Sequence, residues 1–165
     1  MPVGIRNNNP WNIKAENKRS PWRGTAGYDG ADHVIFHHPV FAVRAVCRDL
    51  SRKYLGGRKT LRQIMERYSP KSDTLGSIAG QPRNNPVKAA EFIAGHMEKE
   101  RFPKKLDIDD DVEFFNRDGS IKNVDWLCVF LEALYRQECG WEGPPLSRHL
   151  LRAGIEDYLK DFVND

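Results

Sequence analysis

The sequence lacks long hydrophobic runs and any segment typical of export. Its longest unbroken apolar stretch, Trp126 to Leu131, is far shorter than the roughly 20 residues that a membrane-spanning helix needs. The first ten residues, MPVGIRNNNP, contain no apolar core of the kind found in secretory signals. These absences argue against a membrane span and predict synthesis in the cytoplasm without a signal peptide.

Cysteine and metal-ligand patterns are also sparse. The three cysteines, Cys47, Cys128 and Cys139, are an odd number at wide spacings, which matches neither a disulfide framework nor a zinc site. Cys47 and Cys128 stand among apolar residues, so we expect reduced thiols in the core. The adjacent His37 and His38 would point to opposite faces of a strand, and no HExxH motif is present. No metal ion or cofactor is expected.

Length and composition predict one domain covering residues 1–165. The hydrophobic fraction is 39%, which is enough to bury one core. Charge is uneven: residues 1–60 hold 11 basic and four acidic residues, whereas residues 106–125 hold two and seven. A basic front half could face an anionic polymer. However, its basic residues do not form a stripe along one predicted helix and no nucleic-acid motif accompanies them, so we favour a solvated surface over nucleic-acid binding.

Hydrophobic spacing predicts a mainly α (α+β) fold with a small β-hairpin near the N-terminus. Short extended pieces are expected at residues 12–14 and 32–37, and the acidic stretch 106–115 is expected to be a solvated loop leading into a helical turn. Helices are expected at five places: from Pro39 to Gly56, from Thr60 to before Pro70, from Asn85, from Asn123 or Asp125 to about Cys139, and after Pro144-Pro145.

Glu138 carries the strongest chemical signal in the sequence. It lies four residues after Leu134 and seven after Leu131, which puts it on the apolar face at the carboxyl end of a predicted helix. Burial and the helix dipole would both raise its pKa. A carboxyl group that stays protonated near neutral pH suits a general acid in glycoside cleavage. Alternatively, Glu138 turns outward or pairs with Arg136 or Arg148.

The segment RNNNPWNI at 6–13 predicts a rigid, hydrogen-bonding turn beside an aromatic platform. Asparagine amides bond both backbone groups and sugar hydroxyl or acetamido groups, and tryptophan stacks on sugar faces. The competing interpretation is a cluster of Asx turns that only shapes the loop. The candidate substrate-binding residues are Asn8, Asn9, Trp11, Asn12 and Trp22.

The segment GIRNNNPWNIK at 4–14 resembles the GIRNNNPGNI signature of a group of bacteriophage virion and prophage proteins. The resemblance covers nearly the whole chain. It continues through Trp22-Arg23-Gly24, VIFHHPVFAVRAVCRDLSRKY at 34–54, TLRQIMERYSPKSD at 60–73, NNP at 84–86 and the helix that closes on Glu138-Cys139-Gly140. One departure is Trp11, which stands where the family usually has glycine.

The order of these motifs resembles a circularly permuted lysozyme-like domain. QECGWEGPPLSR at 137–148 is similar to the catalytic glutamate block of lytic transglycosylases and flagellar-type glucosaminidases, and RYSP at 67–70 is similar to their tyrosine block. The resemblance implies that Glu138 is the catalytic acid/base and that Tyr68 orients the substrate or intermediate. It also implies that Asn8 and Asn9 line the groove or hold the loop beside the acid.

The function implied is cleavage of peptidoglycan glycan strands by a muramidase or lytic transglycosylase. Such a protein would be made in the bacterial cytoplasm and would act in the virion or, after delivery, at the cell wall or periplasm. No second carboxylate stands out, because Glu16, Asp29, Asp32 and Asp73 all fall in predicted loops, and this favours a transglycosylase. The alternative is a non-enzymatic virion or wall-binding protein that contacts glycan or other virion proteins.

Overall fold

The computed structural model describes residues 1–15, 17–71, 84–100, 106–140 and 146–163. It confirms a mainly α fold with one two-stranded antiparallel sheet near the N-terminus. Across the described ranges, no helix has the length and apolar character needed to cross a membrane. The elements in chain order are α1 (Val3–Arg6), β1 (Thr25–Tyr28), β2 (Val34–Phe36), α2 (Pro39–Leu55), α3 (Leu61–Tyr68), α4 (Pro86–Lys99), α5 (Val124–Cys139) and α6 (Arg148–Leu159), followed by a 3-10 turn (Lys160–Phe162).

Helices α3, α4 and α5 begin at capping residues that were predicted from the sequence. Thr60 and Gln63 form the expected capping box at the start of α3. The Asn85 side chain accepts from the Lys88 backbone N–H at the start of α4. Asn123, rather than Asp125, caps α5 by accepting from the Trp126 N–H. These caps confirm the predicted helix starts.

The N-terminal region and the acidic stretch differ from their predictions. Of the two extended pieces predicted, residues 32–37 contain β2, whereas residues 12–14 form no strand and Lys14 makes only an isolated bridge with His33. The partner of β2 in the hairpin is β1, which was not predicted. The short helix α1 was not expected. Residues 106–115 form no helix, but they contain one turn in which the Asp110 N–H donates to the Asp107 carbonyl oxygen. Two isolated antiparallel β-bridges hold this stretch in place, one between Thr60 and Asp111 and one between Phe115 and Ile121.

Helix α5 lies at the centre of the hydrophobic core. Its side chains Leu127, Phe130, Leu131 and Leu134 are fully buried. Phe130 packs on Phe114 with ring centroids 4.7 Å apart. The three cysteines are free and buried, as expected for Cys47 and Cys128. Because α5 is buried for most of its length, its end residues are held in fixed positions.

Helices α2 and α6 pack in close contact at Gly154. A Cβ at this position would lie 2.3 Å from Val43 Cβ and 2.8 Å from the Val40 carbonyl oxygen. The backbones can therefore approach this closely only because residue 154 has no side chain. This contact fixes where the last turn of α6 lies against α2.

Candidate functional site

Helix α5 places Glu138 in its last turn, just before Gly140 ends the helix with a positive φ of 75°. The Glu138 side chain is partly buried, and Asn12 Nδ2 donates a hydrogen bond to its Oε2 at 3.2 Å. Burial raises the pKa of Glu138, while the hydrogen bond from Asn12 acts in the opposite direction. Glu138 therefore favours its protonated form more than an exposed glutamate does.

Asn12 reaches Glu138 because the turn before it is tightly held. Asn12 adopts a left-handed backbone with φ of 51°, which asparagine tolerates better than most residues. Gly4 backs the turn, since a Cβ there would lie 2.7 Å from the Asn9 carbonyl oxygen. The Cys139 thiol donates to the Pro10 carbonyl oxygen at 3.3 Å. These contacts join the turn directly to the end of α5.

Tyr68, at the end of α3, lies in the same region. Its hydroxyl donates to Asp49 Oδ2 at 2.5 Å. Burial raises the pKa of Tyr68 well above its usual value, and the charges of Asp49 and Glu138 add to the effect. The charge of Glu138 therefore acts on the Tyr68 hydroxyl, although the direct hydrogen-bond partner of that hydroxyl is Asp49.

Asp49 and Lys53 on α2 form a polar cluster with Tyr68. Neither residue was predicted from the sequence. The Lys53 ammonium group contacts Asp49 Oδ2 and lies 4.7 Å from the Tyr68 ring centroid. Asp49 is buried and follows the core residue Val46 by three positions, while Lys53 follows Asp49 by four. An aspartate on the apolar face of α2, with a lysine one turn later, was the signal that could have found them.

Asn9 supports the loop rather than a substrate. It is fully buried, and its Nδ2 donates to the Ile13 and Val34 carbonyl oxygens at 2.8 and 2.9 Å. Its Oδ1 accepts from the Ile13 N–H at 2.9 Å. The neighbouring Asn8 donates from Nδ2 to the Phe36 carbonyl oxygen at 3.0 Å. The buried Asn9 side chain therefore cannot contact a sugar directly. Its hydrogen bonds hold the loop, which was the alternative prediction for this residue.

Trp11 is also wrongly predicted as a sugar platform. Its side chain is 1% exposed, so no ring face is open to a ligand. Its Nε1 donates to the Leu131 carbonyl oxygen at 2.9 Å, which ties the turn to the middle of α5. The large Trp11 side chain thus fills the core. Trp22, by contrast, is partly exposed, and its Nε1 donates to the Lys14 carbonyl oxygen at 3.4 Å.

Trp22 lines a separate cleft of about 450 Å³. Arg44, Arg48 and Arg52 face this cleft from successive turns of α2, and Arg52 lies 5.5 Å from the Trp22 ring centroid. The expectation that the basic residues do not align along one helix is therefore wrong for α2. The lining residues are Asn17, Ser20, Pro21, Trp22, Arg23, Arg44, Arg48 and Arg52.

Asp29 is the best-defined of the loop carboxylates considered as a second catalytic group. It accepts hydrogen bonds from Asn7 Nδ2, from the backbone N–H groups of Ala31 and His33, and from the His33 ring, all at 2.8 to 3.0 Å. Burial alone would raise its pKa, but these hydrogen bonds together lower it well below its usual value. Glu16 and Asp73 lie outside the described residues.

No protein-family model matches the chain, and no curated protein matches its sequence significantly. In the ranges that the structure describes, no group of three histidine, cysteine, aspartate or glutamate side chains could hold a metal ion.

Proposed function

We propose that this protein cleaves glycosidic bonds in peptidoglycan, with Glu138 as the general acid. The observation that carries the proposal is the environment of Glu138 at the end of α5. The carboxyl group is partly buried, its pKa is raised, and Asn12 orients it through Oε2. A pKa raised in this way keeps a carboxylic acid protonated closer to neutral pH, where it can donate a proton.

In the proposed reaction, Glu138 transfers its proton to the bridging oxygen between N-acetylmuramic acid and N-acetylglucosamine. The bond from the anomeric carbon to that oxygen breaks, and the oxygen leaves as a hydroxyl group. The positive charge that develops on the sugar is met by the oxygen of its own N-acetyl group. The oxygen of the incoming nucleophile then bonds to the anomeric carbon and displaces the N-acetyl oxygen. Glu138, now a carboxylate, accepts the proton of that nucleophile and is regenerated.

Tyr68 is proposed to orient the sugar beside the acid. Its hydroxyl hydrogen points to Asp49, so the lone pairs of its oxygen stay available to accept from a substrate hydroxyl or amide. Lys53 supplies a positive charge next to Asp49 and holds that carboxylate in place. The phenol is therefore fixed by two residues of α2, which reduces the entropy lost when substrate binds.

The incoming nucleophile is proposed to be the 6-hydroxyl of the sugar, as in a lytic transglycosylase. A muramidase would need a second carboxylate to position water. Asp29 is occupied by four hydrogen bonds, and Asp49 is bound by Tyr68 and Lys53. Among the described residues, Asp29 and Asp49 are therefore not set up to activate water, and this supports the intramolecular route.

The test is digestion of purified peptidoglycan by the wild type and by Glu138→Gln, with soluble muropeptides identified by mass spectrometry. Glu66→Gln is the matched control, because Glu66 is exposed on α3. We expect anhydro-muropeptides from the wild type and the control and none from Glu138→Gln. Reducing-end products would keep Glu138 as the acid but replace the transglycosylase with a muramidase. Retention on the cell wall without release, where a control lysozyme is active, would overturn catalysis in favour of a wall-binding or virion structural role.

A further inference from the structure

The cleft beside Trp22 has features of a binding site that the proposed reaction does not use. Three of its arginines share two acidic partners in the part of the chain that the structure describes: Asp157 lies 3.4 Å from both Arg23 and Arg44, and Asp161 contacts both Arg44 and Arg48. Thus three guanidinium groups share these two carboxylates. The arrangement concentrates positive charge along one wall of the cleft.

Two of these arginines are placed to contact a ligand. The side chains of Arg23 and Arg48 are 60% and 45% exposed, and their closest contacts with the aspartates are long, at 3.4 and 3.3 Å. Ion pairs this exposed contribute little, so an incoming oxyanion can replace them at low cost. Arg44 is different, because it is buried and held by Asp161 through two hydrogen bonds of 2.9 and 2.7 Å. Arg44 therefore holds a fixed positive charge beside the more exposed Arg23 and Arg48.

The cleft lining also contains groups that suit a sugar ring. Trp22 is partly exposed, and the exposed Asn17 and Ser20 stand next to it in the lining. An aromatic face packs against the C–H groups of a sugar, while amide and hydroxyl groups bond its hydroxyls. The volume of about 450 Å³ lies within the range of small-ligand sites.

We propose that this cleft binds a sugar phosphate, with the phosphate between Arg23 and Arg48 and the sugar against Trp22. Arginine guanidinium groups match phosphate geometry with paired N–H donors. The proposal stands on residues that differ from Glu138 and Tyr68. It therefore does not depend on the glycosidase activity.

The test is isothermal titration calorimetry of the full chain with glucose 1-phosphate, with glucose and inorganic phosphate as partial ligands. We expect glucose 1-phosphate to bind more tightly than either partial ligand. Removing one charged donor should weaken binding about tenfold or more in Arg48→Ala and in Arg23→Ala. Trp22→Phe should weaken glucose 1-phosphate but leave inorganic phosphate unchanged. Arg117→Ala, at an exposed arginine outside the cleft, and Glu138→Gln should bind as the wild type does.

Three results would overturn the proposal: no binding of glucose 1-phosphate at millimolar concentration, equal binding by Arg48→Ala and the wild type, or binding of a single-stranded oligonucleotide with none of glucose 1-phosphate. The last would make the cleft a nucleic-acid surface. Thermal melts of each variant confirm folding, and Arg23 and Arg48 are exposed enough for folding to survive their replacement. A phosphorylated polysaccharide titrated in parallel distinguishes a polymeric source of the ligand from a free one.

Discussion

Asp29 and Glu138 are partly buried carboxyl groups next to the same asparagine-rich turn, yet their surroundings act on them in opposite directions. Asp29 accepts four hydrogen bonds, from Asn7, Ala31 and His33, and its pKa is lowered. At Glu138 burial dominates over the hydrogen bond from Asn12, and the pKa is raised. The number of donors, more than burial itself, separates a carboxylate that supports a loop from a carboxyl group suited to give up a proton.

The largest expected effect on activity comes from Glu138→Gln, which replaces the ionisable carboxyl group with an amide. In Glu138→Gln we expect the rate of peptidoglycan cleavage to fall by about 10² to 10⁴, the usual contribution of a general acid. Stability should respond differently. Because the folded-state pKa of Glu138 is raised, the wild type loses unfolding free energy as pH rises above the ordinary glutamate pKa, and glutamine does not titrate. Chemical denaturation at several pH values should therefore show a flatter profile in the variant. Unchanged activity would remove Glu138 from the mechanism.

Tyr68→Phe tests whether the Tyr68 hydroxyl orients the substrate beside the general acid Glu138. The variant keeps the ring but loses the hydroxyl that donates to Asp49. Since misplaced substrate costs up to about a hundredfold in rate, we expect kcat to fall between about tenfold and a hundredfold. Tyr28→Phe, in the hairpin, is the matched control. Equal kcat and KM in Tyr68→Phe and the wild type would leave Tyr68 with a packing role only.

Asp29→Asn tests whether the Asp29 carboxylate supports the loop, in contrast to the proton donor proposed at Glu138. Loss of hydrogen bonds to a charged acceptor should lower the unfolding free energy at neutral pH by about 1–3 kcal/mol. Because the folded-state pKa of Asp29 is lowered, its contribution is present above the ordinary aspartate pKa and disappears as pH falls through the folded value. The two proteins should therefore converge in acid denaturation. Asp32→Asn, at an exposed site, is the control. Loss of activity in folded Asp29→Asn would instead identify Asp29 as the second carboxylate of a hydrolase.

The smallest effect is expected at Asn12. Asn12→Gly keeps the left-handed backbone but removes the donor to Glu138 Oε2. That donor favours the charged form, so its loss should raise the pKa of Glu138 further. A general acid must be protonated, and the alkaline limb of the pH–activity profile should therefore move to higher pH. A limb that moves to lower pH or stays in place would show that Asn12 does not tune the acid.

Local signals in the sequence predicted most of the helices. Thr60, Asn85 and Asn123 begin their helices through bonds to residues three positions later, which are visible in sequence. The position of Glu138 on the apolar face of α5 followed from periodicity in the same way. Its partial burial is therefore the part of the candidate site that sequence reasoning predicted best.

The rest of the site depends on contacts between residues far apart in the chain. Asn12 and Glu138 are 126 positions apart, and Trp11 and Leu131 are 120 apart. No local pattern distinguishes a tryptophan that stacks on sugar from one that fills the core, because both uses suit its amphipathic ring. Asp49 was missed for the same reason, since its partner Tyr68 lies on another helix.

The absence of a side chain at Gly154 has a consequence for the cleft. Helix α6 and the turn that follows it carry Asp157 and Asp161, whose carboxylates neutralise Arg44. A single methyl group at residue 154 would act as a wedge against Val43 and drive the two helices apart. Both acidic groups would then retreat from the cleft wall, and the arginines would repel one another more strongly. Gly154 thus influences the charge balance of a cleft that it does not line, because it lets α6 bring Asp157 and Asp161 close to the arginines.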